Sequence, residues 1–240
     1  MRAGGPQRSL LLTFVLLLPA SPAWGYRPFV STDAAVADPK EIEIEFGSFT
    51  FTRAAKENTF IVPQLRLNYG FTRNWEVVGE FDIEQSQDEE VQIVNAGLFL
   101  KAVLKEGILQ NKDSIGFAVE VGPLLPSTAP GERRFGCEGI GIMSGRLSPF
   151  TYHVNFGGGV DRAKANPFAI WGVIVELPLL PHFRLVGEVN GESVTGERAD
   201  NSGLFGFIWQ PLSSEVFIDV GVRRGISRAA SDWQFTTGLT

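Results

Sequence analysis

A single cysteine, Cys137, in 240 residues rules out an internal disulfide, and with two histidines beside it the chain lacks the cluster from which zinc sites are usually built. Basic residues are short as well. Lys and Arg number 21 against 27 Asp and Glu, a formal net charge of −6, which argues against nucleic acid as a partner. Beyond the first twenty residues there is no long apolar run. The longest, near residues 169–181, is interrupted by Glu176, so a bundle of membrane-spanning helices is excluded. No cofactor is expected either: Gly139, Gly141 and Gly145 miss the G-x-G-x-x-G spacing, and no helical period follows them.

What is there begins with an export signal. Arg2 and Arg8 precede an apolar stretch from Leu10 to Leu18, and Pro19, Ala20, Ser21, Pro22 and Ala23 follow it. This is the layout of a secretory signal peptide over residues 1–25, with cleavage before Tyr26 or before Trp24, and the apolar stretch is too short to span a bilayer as a helix. Its removal leaves a mature net charge of about −8. Residues 26–40 hold Pro28, Pro39 and several small residues, and read as an irregular lead-in.

From residue 41 to 240 the dominant period is two. In 75–84, Trp75, Val77, Gly79, Phe81 and Ile83 share one face and Glu76, Val78, Glu80, Asp82 and Glu84 the other, as in a half-buried strand. Residues 115–122, 183–192 and 216–223 repeat the pattern. Adding 41–51, 61–70, 91–104, 139–147, 151–159, 168–176, 203–210 and 232–240 gives twelve candidate strands. That is about 17 residues per strand with its turn, the spacing of a barrel built from strands of about 9–11 residues. Tight turns at 72–74, 148–149, 178–182 and 211–214 alternate with longer polar connections at 85–90, 123–138 and 193–201. Three stretches fit less well: 41–51 changes phase near Gly47, Pro63 interrupts its strand, and 168–176 is apolar on both faces.

Alternation alone also suits a soluble sandwich with its greasy face inward. The polar face here decides for the opposite arrangement. It mixes Arg66, Arg146, Arg184 and Arg223 with Glu80, Asp82, Glu120, Glu188 and Asp219, which can pair across a narrow lumen, and small glycines leave them room. The apolar face carries Tyr69, Trp75, Tyr152, Phe183 and Trp233 near strand ends, where aromatic rings favour the membrane boundary. Because lipid satisfies no open strand edge, the sheet must close. The expected fold is all-β: a closed antiparallel up-and-down transmembrane β-barrel of about twelve strands in the bacterial outer membrane.

The chain resembles bacterial outer-membrane proteins of the phenol-degradation MetA-pathway family. The likeness spans most of 27–238 and rests on RPFVSTDAAVADPKEIEIEFG, YGFTRNWEVVGEFD and LVGEVNGES. It implies a channel or uptake protein for small molecules, hydrophobic ones among them, and carries over no functional residue. One departure is that such barrels usually end in an aromatic residue, whereas this sequence stops at Leu239 and Thr240.

The expected activity is therefore passive transport without bond chemistry. The nine charged residues of the polar face are the expected lumen lining, and the partners are outer-membrane lipid, the barrel-assembly machinery and an unidentified small solute. Two alternatives stand beside it: a non-conducting structural or adhesive barrel, and a barrel lipid hydrolase using Ser144 and His153. Against the hydrolase, His153 points to the lumen rather than the lipid, and a satisfied wall histidine is the simpler reading. Asp88, Glu89 and Glu90 read as a hydrated loop tip rather than a cation site.

Overall fold

The structure, a computed structural model, describes residues 27–55, 57–86, 90–211 and 215–240. The expected export signal, Asp88 and Glu89, and the turn residues 212–214 lie outside the described residues. Twelve strands follow one another along the chain: β1 (Ile42–Ala54), β2 (Glu57–Thr72), β3 (Trp75–Ser86), β4 (Gln92–Lys105), β5 (Gly116–Leu124) and β6 (Gly136–Leu147) make the first half. The second half is β7 (Phe150–Val160), β8 (Pro167–Leu180), β9 (Phe183–Val194), β10 (Asp200–Trp209), β11 (Ile218–Gly225) and β12 (Trp233–Leu239). Each pairs antiparallel with its sequence neighbours, and β12 returns to β1, so the sheet closes with no free edge.

The period-two pattern dictates which side of this wall each residue takes. On β3 the outward Trp75 and Val77 are exposed while the inward Glu76 and Val78 are buried, and β11 buries Asp219 and Arg223 but exposes Val222. The exposed face is a band of large apolar side chains, among them Ile42, Leu98, Phe156, Val175 and Phe205. Water would penalise such a surface, and lipid tails would not. Buried charge inside and exposed hydrocarbon outside is the reverse of a soluble sandwich.

The irregular stretches have local causes. The register slips between Gly47 and Phe49 against β12, the phase change seen in the sequence, and slips again between Ile61 and Gln64, around Pro63. Strand β8 runs further than its sequence suggests, through Pro178 to Leu180 by way of a register shift, which shortens the following turn to two residues. A short 3-10 helix, Ile108–Gln110, occupies the β4–β5 connection.

Both ends of the barrel chain, the beginning of β1 and the end of β12, lie on the same rim as the tight β2–β3, β6–β7 and β8–β9 turns. The connections 125–135, 161–166 and 195–199 crown the other rim. We call these the turn end and the loop end.

Candidate channel lumen

The charged residues of the polar face meet inside the barrel. Arg66 is the hub of the largest group: its guanidinium reaches Glu80 at 2.6 Å, Glu120 at 2.7 Å and Glu45 at 3.8 Å. The β1–β2 and β2–β3 registers put Glu45 and Glu80 on either side of Arg66, one strand away in each direction. Across the bore, Arg223 donates to Glu188 and Asn190, and to Ser202 at 3.1 Å. Arg184 pairs with Glu176 at 2.7 Å. Asp82 accepts from Asn95 at 2.9 Å and from Gln64 at 3.3 Å. Arg146 has the same inward parity but lies exposed near the turn end of β6. Asp219 faces inward as well, and its partner comes from outside the sheet.

That partner is Arg27, and it belongs to the lead-in, which is folded into the bore. Starting between β11, β12 and β2, Arg27 reaches Asp219 at 3.4 Å, Thr236 at 2.7 Å and Gln64 at 2.5 Å. From there the segment circles the inner wall. The backbone N–H groups of Val30 and Ser31 donate to the Glu188 carboxylate on β9, and Thr32 exchanges two hydrogen bonds with the Asn155 side chain on β7. The Ala34 N–H donates to Ser144 on β6 and the Ala37 N–H to Glu76 on β3, while the Lys40 N–H meets the Gly70 carbonyl on β2. Asp33 adds an ion pair with Lys101 of β4 at 3.6 Å. Residues 27–38 thus form a belt that touches nearly every strand.

Its small side chains allow this. Ser31, Thr32, Ala34, Ala35 and Ala37 let the main chain approach the wall, and the wall is recessed to match. A Cβ at Gly172 would stand 1.8 Å from Ser31 Oγ, and one at Gly70 would stand 2.1 Å from the Ala37 carbonyl oxygen. Phe29 adds an apolar contact with Val186, Leu204, Ile208 and Phe217, and Ala34 another with Ala118 and Ile142. The alternation in the sequence shows the wall but not the belt, because an irregular segment has no period to read.

Beneath Ala34 lies a relay. Ser144 Oγ is 2.7 Å from His153 Nδ1, His153 Nε2 is 3.1 Å from Glu176, and Arg184 holds the other Glu176 oxygen. The residue types follow the order of a serine hydrolase triad. Their surroundings differ from one: Ser144 is fully buried and its oxygen already accepts the Ala34 N–H, so an acyl group has no approach while the belt is seated. Each member has a partner within the chain, Glu176 Oε2 through its ion pair with Arg184. Ser144 and His153 were visible in the sequence as neighbours. Glu176 was not, since it joins them only through the β7–β8 register, in which it opposes Thr151.

Above the belt the lumen widens into a cavity of about 690 Å³. Its floor includes Arg27, Phe29, Val30, Ser31 and Thr32, and its upper walls include Glu132, Asp161 and Glu197 from the loop end. Eight carboxylates line it against three guanidiniums, those of Arg27, Arg66 and Arg162. One side is apolar, from Phe99, Leu124, Ile140, Phe168 and Ile170. This accounts for the two-sided hydrophobicity of 168–176: Phe168 and Ile170 turn inward to this wall, and Trp171 and Val173 turn out to lipid. At the loop end, Asp161 closes the 161–166 connection by accepting N–H groups of Ala163, Lys164 and Ala165 at 2.6–2.9 Å and of Asn166 at 3.2 Å. Burial pulls its pKa up, but the four backbone hydrogen bonds together outweigh burial and hold it below the usual aspartate value.

A closed twelve-stranded sheet, greasy outside and charged within, is a transmembrane β-barrel of the bacterial outer membrane. Among solved structures it is similar to a NanC porin, with a TM-score of 0.61 over 82% of this chain and 98% of that one, at 6% sequence identity. Such a likeness is one of fold. No family model matches the chain, and no curated protein sequence matches it.

Proposed function

We propose that the protein is a passive outer-membrane channel or uptake protein for small molecules, selecting them by charge and shape without bond chemistry. The observation that carries this is the cavity: a barrel serving only as an anchor or adhesin needs no chamber of about 690 Å³ with an acidic lining and one apolar wall. The excess of carboxylates favours cations, because rings of acidic side chains lower the electrostatic barrier to positive charge. The apolar side suits a solute with a hydrocarbon or aromatic portion, which agrees with the resemblance to the phenol-degradation MetA-pathway proteins carried by YGFTRNWEVVGEFD and LVGEVNGES. In this reading residues 1–25 direct export, the assembly machinery inserts the barrel, and the turn end faces the periplasm as short turns do in such barrels.

A second reading, a non-conducting structural barrel, draws on the belt, which occupies the bore below the cavity. Planar-bilayer recording separates the two. The channel reading expects discrete conductance steps and a reversal potential, under a potassium chloride gradient, of the sign for cation preference. Purified barrel that resists detergent on an unboiled gel yet conducts under no condition overturns it.

A further inference from the structure

Resting on the channel reading, we infer that residues 27–38 are a displaceable gate, seated in the turn-end half of the lumen and able to leave the wall as a unit while the barrel stays closed. Four observations lead there. First, the barrel does not need the belt to close, since every strand completes its ladders with its two neighbours, including β12 with β1. Second, the belt adds no strand to the sheet: apart from the Lys40–Gly70 contact at its root, its main chain is held by wall side chains, Glu188, Asn155, Ser144 and Glu76. Water that enters as the belt leaves can replace each of these bonds, so each contributes only the difference between a protein and a water partner, larger for the Glu188 and Glu76 carboxylates than for Asn155 and Ser144.

Third, the belt's hold is largely polar. Arg27, Pro28, Thr32, Asp33 and Ala34 are buried and Val30 is 70% exposed into the lumen, while the apolar contacts come from Pro28 beside Gly221, from Phe29 and from Ala34. Ordering twelve residues costs backbone entropy at every one of them, which opposes what these contacts contribute. Fourth, the closed position is nonetheless specified. Gly172 and Gly70 are recesses that a side chain would fill, and the Arg27–Asp219 and Asp33–Lys101 pairs fix the register of the belt along the wall. A segment that is accurately seated, held mainly through polar groups that water can replace, and tethered to β1 just past Lys40 can exchange between a seated and a withdrawn position, and population can move between them.

In the seated state Arg27, Ser31 and Thr32 floor the cavity and close it toward the turn end. With the belt withdrawn, Glu76, Lys101, Ser144, Asn155 and Glu188 line the exposed passage. The relay of Ser144, His153 and Glu176 is then part of the seat: it orients the serine oxygen to receive the Ala34 N–H, which makes His153 a positioning residue.

The test is a redox lock on the full chain. In a Cys137→Ser background, Ser31→Cys and Gly172→Cys are combined; a Cβ built at 172 stands 3.0 Å from Ser31 Cβ, a little inside the span of about 3.5–4.5 Å across a disulfide. A second full-length variant, Gly172→Val, places a branched side chain where Ser31 sits and unseats the belt without a cross-link. Heat-modifiable migration verifies that each is a folded barrel. The gate expects the oxidised pair to lose its long openings in planar bilayers, dithiothreitol to restore them, and Gly172→Val to stay open longer than the parent. Oxidised and reduced forms conducting alike, with Gly172→Val matching the parent, would overturn the gate and leave the channel reading standing. A folded Gly172→Val barrel that is silent along with all the others overturns both.

Discussion

Replacing Arg66 by Met keeps most of its hydrocarbon stem and removes the charge that three carboxylates share. Two of its contacts are short, 2.6 Å to Glu80 and 2.7 Å to Glu120, and the third, to Glu45, is a longer 3.8 Å. The two short ones are not equivalent. The Glu80 side chain is 28% exposed and can turn to lumen water, whereas Glu120 is 3% exposed and has nowhere to go. A hydrogen bond to a charged group contributes about 1.5–3 kcal/mol, and removing one partner of a buried pair costs about 3–5 kcal/mol because the other is stranded. Counting Glu120 fully and Glu80 at a discount, Arg66→Met should destabilise the barrel by about 3 kcal/mol, roughly a hundredfold in the folding equilibrium. Urea titration in lipid vesicles, followed by tryptophan emission and by gel mobility without boiling, measures this. Because the cost arises from a stranded carboxylate, Glu120→Gln in the Arg66→Met background should return about 1.5 kcal/mol, a coupling that the double-mutant cycle reads directly. A loss under about 0.5 kcal/mol for Arg66→Met, or no recovery with Glu120→Gln, would refute the claim that the hub holds β2, β3 and β5 together.

Leu98, 48% exposed on the outer face of β4, should tolerate other apolar residues, while Leu98→Arg should cost about 2–4 kcal/mol in the same titration, as for a charge set against lipid tails. The Asp161 carboxylate has a lowered pKa, so it orders the 161–166 connection at pH values above the unfolded value of about 3.9 and loses that contribution as pH falls through the folded value. Protection factors at Ala163, Lys164, Ala165 and Asn166 should therefore fall only below the unfolded value of about 3.9 for the parent, and be low at every pH for Asp161→Asn. Ser144→Ala should leave ester and phospholipid turnover at the level of empty vesicles while lengthening channel openings. A burst of hydrolysis that the substitution abolishes would reassign the relay to catalysis.

The wall was open to sequence reasoning because each strand meets two different solvents, and a period of two records that contrast residue by residue. Trp75 and Val77 against Glu76 and Val78 is such a record, and it set strand number, closure and the facing of Arg66, Glu120 and Asp219 together. Where both faces of a strand meet apolar surroundings, as on β8 with Phe168 inside and Trp171 outside, the contrast vanishes and the pattern dims. Pairing across strands is a further step that alternation does not supply. Glu176 completes the relay with His153, and Arg66 meets Glu120 three strands away, through register and curvature that a linear pattern does not encode. The belt left the faintest trace, a run of small residues bracketed by Arg27 and Lys40. In retrospect its signal is divided between two places: slim side chains in the lead-in and glycines at inward positions such as Gly172.

Ring closure has a consequence for the order of events in biogenesis. The partner of β1 is β12, the shortest of the described strands at seven residues and the twelfth in chain order, so β1 gains its second neighbour only after the strands between them have been made. Arg27 then bridges that joint from within, touching Thr236 on one side and Gln64 on the other. Until the joint is made its two hydrogen-bonding partners are not brought together, so the seat of Arg27, and with it the start of the belt, forms only once the ring has closed.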